Sequence, residues 1–254
     1  MQAPESRQLL DDASLRSAGD SGRERTWGRF HRAGPGVTLA LLALLVPVGL
    51  FGEDLDARRT RALSLFDAAL RADRTAITQA HADLVVVLAE RTNDALARVH
   101  FGWLLLLEAR ELPMLEARAR AAAGIKEMDA AVDAAPHDPV VRLVRARCDY
   151  QLPLVLGREA LAEADFKWLL SGLEGESAPP RPLPAEALRR EIYFHAGAFA
   201  LKRRDAIRAV HLLERAAAVP ASSPSEDDVQ SMLALARREL SSQGHGEDPH
   251  PDQG

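Results

Sequence analysis

The chain has 254 residues, of which 47% are hydrophobic but only 5% aromatic. Its apolar mass is therefore aliphatic and alanine, which favours packed helices over strands built from β-branched and aromatic side chains. Charged residues make up 27% with both signs mixed, and the formal net charge of −5 excludes a polybasic nucleic-acid binder.

Residues 1–32 are polar and carry six of the 32 basic and five of the 37 acidic residues, so they read as a disordered leader. Residues 33–52, AGPGVTLALLALLVPVGLFG, hold no charge. Arg23, Arg25, Arg29 and Arg32 precede this run and Glu53 and Asp54 follow it. That charge step keeps the N-terminus in the cytoplasm and sends the rest outward. Two outcomes fit: a signal-anchor, since a span needs about 20 apolar residues, or a cleaved signal with a core at Val37–Phe51. The first leaves the helical domain membrane-anchored outside the cytoplasm, and the second makes it secreted or periplasmic. The remainder is net acidic, so it should repel nucleic acid and anionic lipid unless its charges are strongly segregated.

Residues 53–240 form the predicted helical domain, with helices near 55–72, 75–91, 94–110, 114–134, 139–151, 158–173, 184–202, 205–218 and 224–241. In the third, Leu96, Val99, Trp103 and Leu106 make one apolar stripe. Phe101, Leu104, Leu105 and Leu107 cover much of the remaining circumference, so this helix should be buried between neighbours. Asp138-Pro139 reads as a cap followed by a first-turn proline. Cys148, the only cysteine, lies in a helical pattern and reads as a small buried side chain, which leaves stability to packing. Residues 174–184, EGESAPPRPLP, cannot be helical through their prolines. Helix 205–218 is amphipathic, with Ala206, Ala209, Val210, Leu213 and Ala216 opposite Arg204, Arg208 and Arg215. Ser223 with Glu226 has the spacing of a capping box. Residues 241–254 read as a disordered tail, where His245 and His250 bind metal only adventitiously.

Gly102, Ala146 and Gly197 sit in the middle of predicted helices, where glycine costs about 1 kcal/mol relative to alanine. Close backbone packing against a second helix is the physical reason to carry that cost. Helix pairs of this kind cannot bury their apolar faces alone, so they stack.

Tyr193–Pro220, YFHAGAFALKRRDAIRAVHLLERAAAVP, resembles a tetratricopeptide repeat (TPR) through Tyr193, Ala196-Gly197, Ala209, Leu213 and Ala216. GIKEMDAAVDAAPHDP, with Gly124, Met128, Ala131 and the closing Pro136, is a second match. Ala162, Phe166 and Leu169 make a third, and Ala62, Phe66 and Ala69 a degenerate first copy. The stretch Gly124–Leu170 is also similar to uncharacterised bacterial TPR-like proteins. The small residues at 102, 146 and 197 are more widely spaced than the roughly 34-residue period of the family. The resemblance implies an all-α fold, a right-handed stack of antiparallel helix pairs (an α-solenoid), with lengthened helices and loops. It also implies partner segments along the face of the first helix of each pair, here Trp103, Arg147, Tyr150 and Phe194. Each has a plain alternative, since Trp103 and Phe194 also suit a core.

By the same resemblance Arg142 and Arg145 occupy places where the family buries apolar side chains. A buried Arg needs a partner, and Asp165 on the following helix is the candidate for Arg145. A solvated face and an anionic-ligand site are the alternatives. The eight histidines lack the one-face spacing of metal ligands, and no phosphate loop or nucleophile elbow is present. The sequence therefore predicts a non-enzymatic protein-interaction or scaffold module of the bacterial envelope. It predicts no metal, no small-molecule cofactor and no nucleic acid. The alternative is an assembly factor of a membrane complex, without a peptide groove.

Overall fold

The computed structural model describes residues 54–175, 185–221 and 223–244, which belong to one compact unit. The leader, the apolar run 33–52, most of the proline-rich linker and residues 245–254, with His245 and His250, lie outside the described residues. The described part is all-helical: α1 (Leu55–Ser64), α2 (Phe66–Leu70), α3 (Arg74–Glu90), α4 (Ala95–Ala109), α5 (Met114–Ala134), α6 (Pro139–Asp149), α7 (Glu159–Leu173), α8 (Glu186–Lys202), α9 (Ala206–Ala217) and α10 (Glu226–Gly244). None of these helices is long and apolar enough to cross a membrane.

Aspartate sets half of the starts. The carboxylates of Asp73, Asp94, Asp138 and Asp205 accept from backbone N–H groups in the first turns of α3, α4, α6 and α9, satisfying donors that have no intrahelical partner. Three local readings change. The predicted first helix is broken at Leu65 into α1 and α2, and a 3-10 turn, Leu154–Leu156, precedes α7. The capping box at the start of α10 is formed by Ser225 and Asp228: Ser225 Oγ accepts from the Asp228 amide at 3.1 Å, while Glu226 instead accepts from Arg190. In addition, α10 runs four residues past the predicted end of the domain.

Neighbouring helices alternate in direction. Arg98 pairs with Glu127 and Arg120 with Glu108, so α4 and α5 are antiparallel. At their contact Gly102 and Gly124 face one another; a methyl group on Gly102 would sit 2.6 Å from the Gly124 carbonyl oxygen. α4 buries Val99, Trp103 and the run Leu104–Leu107. α6 is a two-sided wall: Val141, Val144 and Cys148 join a core with α1–α5, while Leu143 and Ala146 join a second core with α7–α10. Burial pushes the Cys148 thiol up and keeps it un-ionised. Tyr193, Gly197, Ala209 and Ala216 pack in the second half, and Ala131 is fully buried in the first. The Pro136 carbonyl closes the α5–α6 turn by accepting from Arg142 Nε at 2.7 Å.

Candidate interaction face

Helices α4, α6 and α8 run in the same direction, as Arg147–Glu191 and Lys202 donating to the Tyr150 carbonyl show for α6 and α8. Each offers residues one turn apart, which share a face: His100 and Trp103 on α4, Arg147 and Tyr150 at the end of α6, Glu191, Phe194 and His195 on α8. The Arg147 guanidinium lies 5.6 Å from the Trp103 ring centre, within range of a cation–π attraction, and donates to Glu191 Oε2 at 3.3 Å. Its Nε is buried with no hydrogen-bond partner among the described residues, as are those of Arg189 and Arg190. Tyr150 Oη lies 3.4 Å from His195 Nδ1, and the Tyr150 ring packs against Phe166 and Phe199.

Four residues expected to meet a partner therefore occupy different depths. Arg147, Tyr150 and Phe194 are half-buried. Trp103 is only 2% exposed and packs edge-on against Phe66, so it supports Arg147 from beneath and offers no surface of its own. His100 and His195 are the members that sequence spacing did not bring out, because they come together only when three separate helices align.

Both imidazoles are neutral. Burial lowers His100 to about 4, with the Arg147 charge adding to the effect although Nδ1 donates to the Leu96 carbonyl at 2.8 Å. Burial and Arg147 hold His195 well below its ordinary value. Burial also raises Glu191, against the pull of Arg147 and with the help of Asp67. Since the folded histidines bind protons less readily than the unfolded ones, acidification from about pH 6.5 towards 4 favours the unfolded chain. Asp149 acts oppositely: burial raises it to about 6 despite Arg158, so the same acidification favours the folded form through that group. Glu191, also raised, acts in the same sense as Asp149, but the ordinary histidine value lies above those of both carboxyls, so between pH 7 and 5 the two imidazoles give a net loss. We expect a lower urea midpoint at about pH 5 than at about pH 7, and a flattened or inverted profile when His100 and His195 are both replaced by Gln. A wild-type chain as stable or more stable at about pH 5 would show that Asp149 and Glu191 offset or outweigh the imidazoles.

A second charged cluster is structural in its geometry. Asp165, fully buried, accepts from Arg145 Nε at 2.8 Å, Arg145 Nη2 at 3.0 Å and Arg142 Nη1 at 2.5 Å. Arg145 continues to Asp129 at 3.2 Å, Arg158 bridges Asp129, and both Asp149 oxygens accept from Arg158 at 3.0 Å. Signs alternate along this ladder, which ties α5, α6 and the start of α7, so each buried charge has an opposite neighbour. Burial raises the Asp129 carboxyl, but Arg158 and Arg145 outweigh it and hold it below the usual range. Arg142 also lies 4.6 Å over the Trp168 ring, which shields the outer end. Among the described residues, no three His, Cys, Asp or Glu side chains converge as metal ligands. Comparison with protein-family models, curated proteins and solved structures finds no match for this chain.

Proposed function

We propose that the chain is a non-enzymatic protein-interaction module of the bacterial envelope that takes a partner segment along the α4–α6–α8 face. In this reading the helices form a TPR-like, right-handed stack of antiparallel pairs, an α-solenoid. Residues 33–52 hold the domain at the membrane or direct it outward. The observation that carries the proposal is the half-buried Arg147, set between Trp103 and Glu191, with the half-buried Tyr150 one turn away on α6 and Phe194 one turn from Glu191 on α8. Arginine and aromatic side chains are the usual anchors of interfaces, and a guanidinium already partly desolvated loses less on meeting a partner. The neutral imidazoles add hydrogen-bonding capacity without adding charge.

The test is capture from detergent-solubilised membranes with the full chain and with Arg147→Ala, whose helix content is checked by circular dichroism. A partner recovered by the wild type should be depleted on the order of tenfold by the substitution, the size of a hot-spot loss. Equal recovery by both proteins, or no reproducible partner, would overturn the proposal.

A further inference from the structure

The most exposed large apolar side chains are not on the α4–α6–α8 face. Val155 is 90% exposed, Met114 and Leu115 81% each, Ile207 72% and Leu154 70%. All five lie in or just after the turns that follow α4, α6 and α8. Because those three helices are parallel, the turns are at one end of the helices. Arg74 paired with Glu111 and Lys202 donating to the Tyr150 carbonyl tie the neighbouring turns together at that end.

The same end is basic, although the chain as a whole is acidic. Arg71, Arg110, Arg118 and Arg208 are exposed and have no ion-pair partner among the described residues, and Lys202 bonds only a carbonyl. The acids there are mostly engaged. Asp73 and Asp205 cap helices, Glu111 pairs with Arg74, and Glu159 and Glu163 pair with Arg203, which leaves Asp67 and Glu116. Unengaged acids collect at the opposite end, where Glu90, Asp133 and Asp227 lie. The charges are thus segregated, the condition under which a net-acidic domain attracts anionic lipid.

We infer that this apolar-tipped, basic end docks on an anionic bilayer surface. The five apolar side chains enter the headgroup boundary while the surrounding cations meet lipid phosphates. A protein-binding patch is enriched in Tyr, Trp and Phe and depleted in charge at its centre. Here the tips are aliphatic, on separate turns and ringed by long cationic side chains able to keep their heads in water, the pattern of interfacial insertion. Asp54 lies at the other end beside Arg91 and Asp94, with only Glu53 between it and residues 33–52, so the bilayer met here is a facing one and not one that holds that segment. The inference does not depend on the Arg147 strip.

Residues 33–52 could bring the full chain to any vesicle, so the readout must be local. The full chain carries an environment-sensitive fluorophore on Leu115→Cys or Val155→Cys, with Val85→Cys on α3 as the control; Cys148 is buried. Vesicles of phosphatidylcholine with phosphatidylglycerol should blue-shift emission at positions 115 and 155 and leave position 85 unchanged. Arg110→Glu with Arg118→Glu should weaken that response about tenfold, as expected for charges close to an anionic surface. No shift at 115 and 155, an equal shift with phosphatidylcholine alone, or a shift produced only by adding unlabelled chain would each overturn the inference. The last result would assign the surface to a second copy.

Discussion

Replacing Asp165 with Asn should destabilise the domain by about 3–5 kcal/mol, the largest effect of any single substitution considered for this protein. Asp165 is fully buried and receives three hydrogen bonds from two guanidinium groups. Asparagine keeps the volume but removes the charge, and its amide nitrogen turns a donor towards the donors of Arg142 and Arg145. Arg145, itself buried, is then left with Asp129 at 3.2 Å as its remaining counter-ion. A loss of this size should lower the melting temperature by about 10 °C in a domain of this length. The loss reflects stranded charge more than the net worth of the pair. Replacing Arg145 with Met and Asp165 with Leu together should therefore recover most of it, since an apolar pair of similar volume carries no desolvation penalty. Thermal unfolding of the two variants distinguishes these cases. An unchanged melting temperature for Asp165→Asn would mean that water reaches the ladder and screens it.

The ladder also marks how far the sequence can be read. Arg145 and Asp165 could be paired from one strand of reasoning, because a charged residue where the resembled repeat buries an apolar side chain needs a counter-charge on the adjacent helix. Asp129, Arg158 and Asp149 could not. Asp129 lies beside Met128 in an alanine-rich helix with many charged residues on its exposed face, and Arg158 sits in a turn, where charge is unremarkable. Helix positions were legible for a different reason: the signals are local. Polar breaks bounded α3, α4 and α9 to within a residue or two, Asp138-Pro139 marked the start of α6, and 114–134 coincides with α5. The capping box at α10 moved because Ser223 and Ser225 offer the same chemistry two residues apart, and Arg190 claims Glu226. The segregated charge of the turns was invisible as net charge, because it depends on which ends of the helices share a side. The interaction strip was half legible. Arg147, Tyr150 and Phe194 follow from the repeat resemblance, whereas the two neutral histidines depend on burial by distant residues.

Gly102→Ala should be destabilising by about 2 kcal/mol, although alanine is the better helix former by about 1 kcal/mol. The added methyl would lie 2.6 Å from the Gly124 carbonyl oxygen and 2.9 Å from the Met128 amide nitrogen. Both are backbone atoms of α5, so relief requires the helices to separate along the contact that buries Leu105 and Leu106. Gly124→Ala meets the Gly102 carbonyl oxygen at 2.5 Å and should behave alike. The double variant should lose less than the sum of the two singles, because one separation relieves both overlaps. Gly197 supplies the control. A methyl there first meets Leu213 Cγ at 2.7 Å, a buried side-chain atom that must shift within the core, while the nearest backbone atom is 3.4 Å away, so the helices need not separate. The packing loss there is smaller because only a side chain must shift, so Gly197→Ala should cost about 1 kcal/mol less than Gly102→Ala. Urea unfolding of the three single variants would check the order. If Gly102→Ala were as stable as Gly197→Ala, the α4–α5 contact would have slack, and the glycine pair would have no steric role.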